Sequence, residues 1–209
     1  MRTEFCIFPL ILMLGVSACG EHKPRVDRMT AELQAKYKRN PAPKQPYQIT
    51  LTLADAPGPF AKIEGSVYYE ARDCDYMPDR IAGFFLTPSV DLPMSYSKVD
   101  ETSYVATVHA DAMVDEDYLG KGVCHWELVS VNTSLKATGA KTDTSYVANL
   151  MGDEMRGQKT RTNYYVKYDY PGSDPEEWSD FGKVDRSRYK PELQDQLFTI
   201  TLTPAVGKP

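Results

Sequence analysis

Histidine is scarce in this chain, with three in 209 residues, and cysteine is little commoner, with four. No CxxC, HExxH or His/Cys cluster is present, which excludes a zinc site of the usual spacing. The chain also lacks a G-x-S-x-G elbow, a P-loop and a G-x-G-x-x-G turn, so no known nucleophile or phosphate-cradling motif is written into it. Positive charge is in the minority: 24 Lys and Arg against 29 Asp and Glu, a net charge of −5. A general nucleic-acid binder needs a basic face, so DNA and RNA are disfavoured as partners. Long apolar runs are missing too. The longest, Phe5 to Leu14, is too short to span a bilayer core of ~30 Å.

What is present is an ordinary globular balance, 42% hydrophobic and 25% charged. That is enough for one sizeable core and one domain. Fourteen of the aromatics are Tyr, against seven Phe and two Trp. Tyr suits both strands and wet binding surfaces.

The N-terminus reads as an address. Met1-Arg2-Thr3-Glu4 is followed by the apolar run and then by Gly15-Val16-Ser17-Ala18-Cys19-Gly20. Val16-Ser17-Ala18-Cys19 resembles the lipobox of bacterial lipoproteins. The resemblance implies that residues 1–18 are a signal peptide and that Cys19 is lipidated and becomes the new N-terminus. Val16 stands where Leu is commonest in that motif. Gly20, rather than Asp, follows the cysteine, which by the same resemblance implies the outer membrane. Several acyl chains on one residue hold a protein on the membrane, here facing the periplasm.

Cys6 then leaves with the signal peptide, and Cys74 and Cys124 remain as a pair in an oxidising compartment. They are expected to form a disulfide, closing a loop of about 50 residues worth roughly 4 kcal/mol in the chain-entropy model.

Residues 19–46 read as a lipidated tether, punctuated by Pro24, Pro41, Pro43 and Pro46, with a short helix between Val26 and Tyr37. From Tyr47 the period changes to two. Ile49, Leu51 and Leu53 face one way and Thr50 and Thr52 the other. Further strands are expected at 61–70, 81–86, 103–109, 123–131, 144–150, 160–170 and 197–202. Cys124 and Trp126 share one face of the 123–131 strand and point inward; His125 points out. Seven to nine strands separated by Pro, Gly and Asp turns predict an all-β chain, an antiparallel β-sandwich over 47–209, with an open barrel as the alternative. Tyr164, Tyr168 and Tyr170 are expected on one strand face and Tyr165 on the other.

Two segments are candidates for binding. Asp111 to Gly120 holds Asp115, Glu116, Asp117 and Tyr118 between two strands, and its spacing is not that of an EF-hand. Pro171 to Phe181 holds Glu176, Glu177 and Trp178. Charge steers encounter and an aromatic anchors it. No metal or cofactor is implied.

In size, lipobox and β pattern the chain resembles the immunity lipoproteins of contact-dependent secretion systems and the lysozyme-inhibitor lipoproteins. The resemblance implies a protein partner, a lipase or cell-wall hydrolase toxin, whose active site an acidic loop occludes. A structural lipoprotein of an envelope assembly, and an enzyme or ligand carrier, are the alternatives. A single acidic plug requires segments 111–117 and 174–180 to share one face.

Overall fold

The computed structural model describes residues 22–78, 83–172 and 178–208. The lipobox and Cys19, with Glu176 and Glu177, lie outside the described residues. Among the described residues no helix is long and apolar enough to cross a membrane.

The elements follow in chain order. Helix α1 (His22–Gln34) leads into β1 (Pro46–Ala54), β2 (Lys62–Glu70), β3 (Ser89–Met94), β4 (Ser97–Lys98), β5 (Ser103–His109), β6 (Glu127–Lys136) and β7 (Ser145–Met151). A short helix α2 (Gly152–Arg156) precedes β8 (Arg161–Val166), β9 (Ser179–Asp180) and β10 (Leu197–Val206). The strands make two five-stranded sheets, ordered β4-β5-β1-β10-β8 and β3-β2-β6-β7-β9. All pairs are antiparallel except β7 with β9. The fold is an all-β sandwich.

Alternation explains the packing. Ile49 and Leu51 of β1 and Ile200 and Leu202 of β10 are buried, while the threonines between them face outward. On that outer face Thr162 and Thr201 hydroxyls meet at 2.9 Å. The second sheet contributes Val67, Tyr69, Leu128, Val131, Leu135 and Leu150. In the middle, Tyr146 lies edge-on to Phe198 at 5.0 Å, and Tyr165 stacks on Phe198 at 5.3 Å. Interlocked rings of this kind fill the centre of the body. Burial raises the phenolic pKa of both tyrosines, and Tyr165 donates its hydroxyl proton to the Val147 carbonyl at 2.7 Å.

Several boundaries differ from the sequence reading, each for a physical reason. Strand β6 begins at Glu127 rather than Val123 and runs to Lys136. Its pairing with β2 shifts between Tyr68 and Tyr69, which leaves Val129 as the extra residue of a bulge. The bulge switches the inward phase from Leu128 to Val131, Thr133 and Leu135. No strand covers the described part of 81–86: Phe84 and Phe85 are exposed, and only Leu86 pairs, in a lone bridge with Tyr76. Strand β3 went unread because Pro93 interrupts it; it is an edge strand, where the missing N–H costs no ladder bond. Strand β8 stops at Val166, so Tyr168 and Tyr170 leave its face for a 3-10 turn and the residue after it.

The tether is also not a loose spacer. Helix α1 buries Leu33, and the chain after it lies along residues 109–118. Asn40 donates twice to that stretch, its backbone N–H to the Ala112 carbonyl and its side-chain amide to the Asp111 carbonyl, both at 2.8 Å.

Both sides of the sandwich are closed. On one side the chain passes straight from β3 in one sheet to β4 in the other. On the other, residues 179–183 pair with β7 through Ser179 and Asp180 and with β8 through Lys183 and Tyr164. Gly182 makes this clasp possible. Its φ is +60°, and a Cβ there would stand 2.7 Å from the Tyr164 carbonyl oxygen.

Replacing the centre of the ring cluster tests this packing. Phe198→Ala should cost about 3–5 kcal/mol in urea unfolding. Removing the Cys74–Cys124 bridge by a double Ala substitution should cost about 2–5 kcal/mol.

Candidate functional site

The two ends of the sandwich differ, and each holds one segment singled out by the sequence. The N-terminal end, called the anchor end after the expectation for Cys19, gathers α1, residues 37–46, 71–78, 83–88, 110–126 and α2. The far end gathers the 137–144 hairpin and residues 167–196. Strand β6 connects them, and its ten residues span ~33 Å. Residues 111–117 lie beside the start of β6, and residues 178–180 lie beside the start of β7, which pairs with its last turn. The two segments therefore occupy opposite ends. A single acidic plug built from both is overturned.

The anchor end is built around the disulfide. Cys74 and Cys124 are bonded, with Cα atoms 5.4 Å apart. Trp126, two residues on, is buried and lies edge-on to Tyr37 at 4.8 Å and Tyr118 at 6.1 Å. Tyr118 is thus a core residue and presents no binding face. Its hydroxyl donates to the Val114 carbonyl at 2.6 Å.

The acidic loop is consumed by the fold. Asp111 accepts the Lys44 and Gln45 N–H groups at 2.8 and 3.0 Å. Burial pulls its pKa up, but these donors outweigh it and hold the carboxyl below the usual range. Asp115 accepts the Trp126 N–H at 2.9 Å. Glu116 pairs with Lys38 at 2.6 Å. Asp117 accepts the Lys121 N–H at 2.9 Å, which lowers its pKa. These carboxylates cap turns and pin the incoming chain. The signal that could have shown it is the run of N–H donors in turns, but its partners are up to 78 residues away.

His125 is exposed, as its alternation predicted, but it is not idle. Its Nδ1 lies 2.6 Å from Asp73 Oδ2, and its backbone N–H donates to the same carboxylate. The contact raises the His125 pKa and lowers that of Asp73. No hydroxyl or thiol nucleophile joins this pair in the described contacts. Among the described residues no group of three or more His, Cys, Asp or Glu is placed to hold a metal ion. A cleft of about 460 Å³ opens nearby, lined by Tyr47, Trp126, Glu127 and Arg156 among others.

The far end presents apolar surface instead. Trp178 is 56% exposed and Phe181 66%. Val184 and Tyr168 are exposed as well. The backbone beneath them is fixed: the Trp178 carbonyl accepts the Ser145 N–H at 2.7 Å, and the Phe181 carbonyl accepts the Asn163 amide at 2.9 Å. Between the two aromatics Asp180 turns inward, and burial raises its pKa. The sequence singles out Trp178 with Phe181 near it; the exposure of Val184 and Tyr168 has no signal there. Comparison with protein-family models, with curated proteins and with solved structures finds no match to this chain.

The Asp73–His125 pair has a pH signature. The raised His125 pKa makes its contribution complete below the ordinary value of ~6.5, and lost as pH rises through the folded value. The lowered Asp73 pKa makes its contribution present above ~3.9, and lost as pH falls through the folded value. The pair therefore acts in the acidic window between. In an NMR titration His125 should titrate above its ordinary value, and Asp73→Asn should return it there. An unchanged His125 midpoint in that variant would show that the contact is not formed in solution.

Proposed function

We propose that this chain is a lipid-anchored, periplasm-facing binding protein that neutralises an antibacterial toxin, a lipase or cell-wall hydrolase, by covering its active site. One observation carries the reading. At the end farthest from the N-terminal helix, Trp178 and Phe181 stand exposed on a backbone hydrogen-bonded to both sheets. Exposed aromatics on a rigid support are the usual energetic centre of a protein interface, because they bury much area and lose little freedom. Loops on a β-sandwich are free to carry such function while the sheets hold them. The contact surface proposed here is Trp178 and Phe181, with Glu176 and Glu177 adjoining them in sequence. Asp115, Glu116, Asp117 and Tyr118 have no part in it.

The test begins with affinity capture from detergent-solubilised envelope and mass spectrometry. The expected result is one secreted hydrolase in equimolar amount, inhibited by the captured protein. Trp178→Ala should then weaken binding by about 2 kcal/mol or more, roughly 30-fold in Kd. The triple change Asp115→Asn, Glu116→Gln, Asp117→Asn should leave Kd unchanged in whatever fraction folds. A set of outer-membrane or secretion subunits in place of the hydrolase would replace this reading with a structural role in an envelope assembly.

A further inference from the structure

The apolar surface at the anchor end needs its own account. Phe85 is 63% exposed, Phe84 40% and Val123 51%. They belong to different loops, yet the fold brings those loops to one end. The Cys74–Cys124 bond ties the two loops together, and Tyr76 pairs with Leu86 just beyond the two phenylalanines. Helix α1 is attached to the same loop, since the Tyr76 hydroxyl donates to Thr30 Oγ1 at 3.3 Å.

We propose that this end of the sandwich rests on a bilayer surface, with Phe84 and Phe85 dipping into its interfacial layer. The inference rests on the lipid-anchor reading of Cys19, and adds to it a second contact and a fixed orientation.

Three observations favour a bilayer over another occupant. The first is reach. Eight residues of helix separate Thr30 from His22, ~12 Å at the helical rise. Three more residues lead to Cys19, at most ~11 Å. A bilayer holding Cys19 is therefore within one domain's breadth of the Phe84–Phe85 loop. The second is charge. Residues 22–40 carry six Lys or Arg against two Asp or Glu, in a chain whose net charge is −5. A basic segment beside an apolar one is attracted to anionic lipid. Of those six cations Lys38 is paired with Glu116, which leaves five in the segment, and at the same end Asp73 is paired with His125. The third is residue type. Aromatic side chains favour the headgroup boundary, where apolar rings meet polar surroundings.

The experiment uses the full chain, purified from membranes in detergent and returned to vesicles of phosphatidylethanolamine and phosphatidylglycerol with brominated acyl chains. Phe85→Trp is compared with its parent in a Trp178→Phe background; Val123→Trp is a second probe on a different loop. The mass of the N-terminal peptide reports separately whether Cys19 is acylated. The expected result is that the emission added by Phe85→Trp loses most of its intensity in brominated vesicles and shifts to the blue. Trp178 in the native chain should be unaffected. Unquenched emission at both 85 and 123 with Cys19 acylated overturns the proposal and leaves the anchor standing. Quenching at 85 with no acyl group on Cys19 supports the surface contact and removes the anchor. A blue shift that depends on protein concentration, not on lipid, assigns the patch to a second copy and overturns the proposal.

Discussion

A two-sheet sandwich has four edges, and an unpaired edge is a row of open hydrogen-bonding groups. Closing those edges is the constraint on which the rest of this molecule depends. On one side the chain passes from β3 directly into β4, which ties the two sheets together, and Pro93 blunts the β3 edge that remains. The other is closed by a five-residue stitch, 179–183, that pairs with β7 and then β8. Without that stitch the central rings would have sheet edges open beside them. Because it uses its backbone on both sides, its alternate side chains are forced outward. The same closure leaves Phe181, in the middle of the stitch, in solvent, and Trp178 stands exposed just before it.

The period-two pattern made the sheets legible. Strands β1, β2, β5 and β7 lie within a residue or so of where alternation placed them, and the disulfide is where cysteine arithmetic placed it. What alternation cannot carry is a change of phase. The bulge at Val129, the third residue of β6, reverses inside and outside, so the rest of the strand was not visible in the pattern that leads into it. Apolar character misled in Phe84 and Phe85, whose hydrophobicity serves exposure rather than burial. Charge misled in Asp115 to Asp117, because two of those carboxylates accept N–H groups from residues 121 and 126 of the same loop region and the third is paired with Lys38 from a distant segment. Trp178 was legible because a Trp among acids and turn residues has few burial options. Glu176 and Glu177 fall outside the described residues.

The two ends of the body thus differ in what surrounds similar exposed chemistry. Both expose apolar side chains, yet only the N-terminal end couples them to the basic 22–40 segment and a disulfide. Of the acids that looked like a binding device, Asp111 and Glu116 hold the N-terminal segment, and Asp115 and Asp117 brace their own loop. That relocation matters more than any single contact. The exposed aromatics stand at the far end, some 30 Å away along β6.

The docking of α1 and residues 37–46 has one more consequence. A tether that merely spans a distance lets its cargo tumble, and a visiting molecule must then find the right face by rotational search. Here Leu33 is buried and Asp111 grips the Lys44 and Gln45 backbone, so the tether behaves as a handle. A body held this way at a membrane would present its far end in a constant direction. Encounter would become a problem of lateral diffusion alone, and neighbouring copies would form a layer of like-facing surfaces.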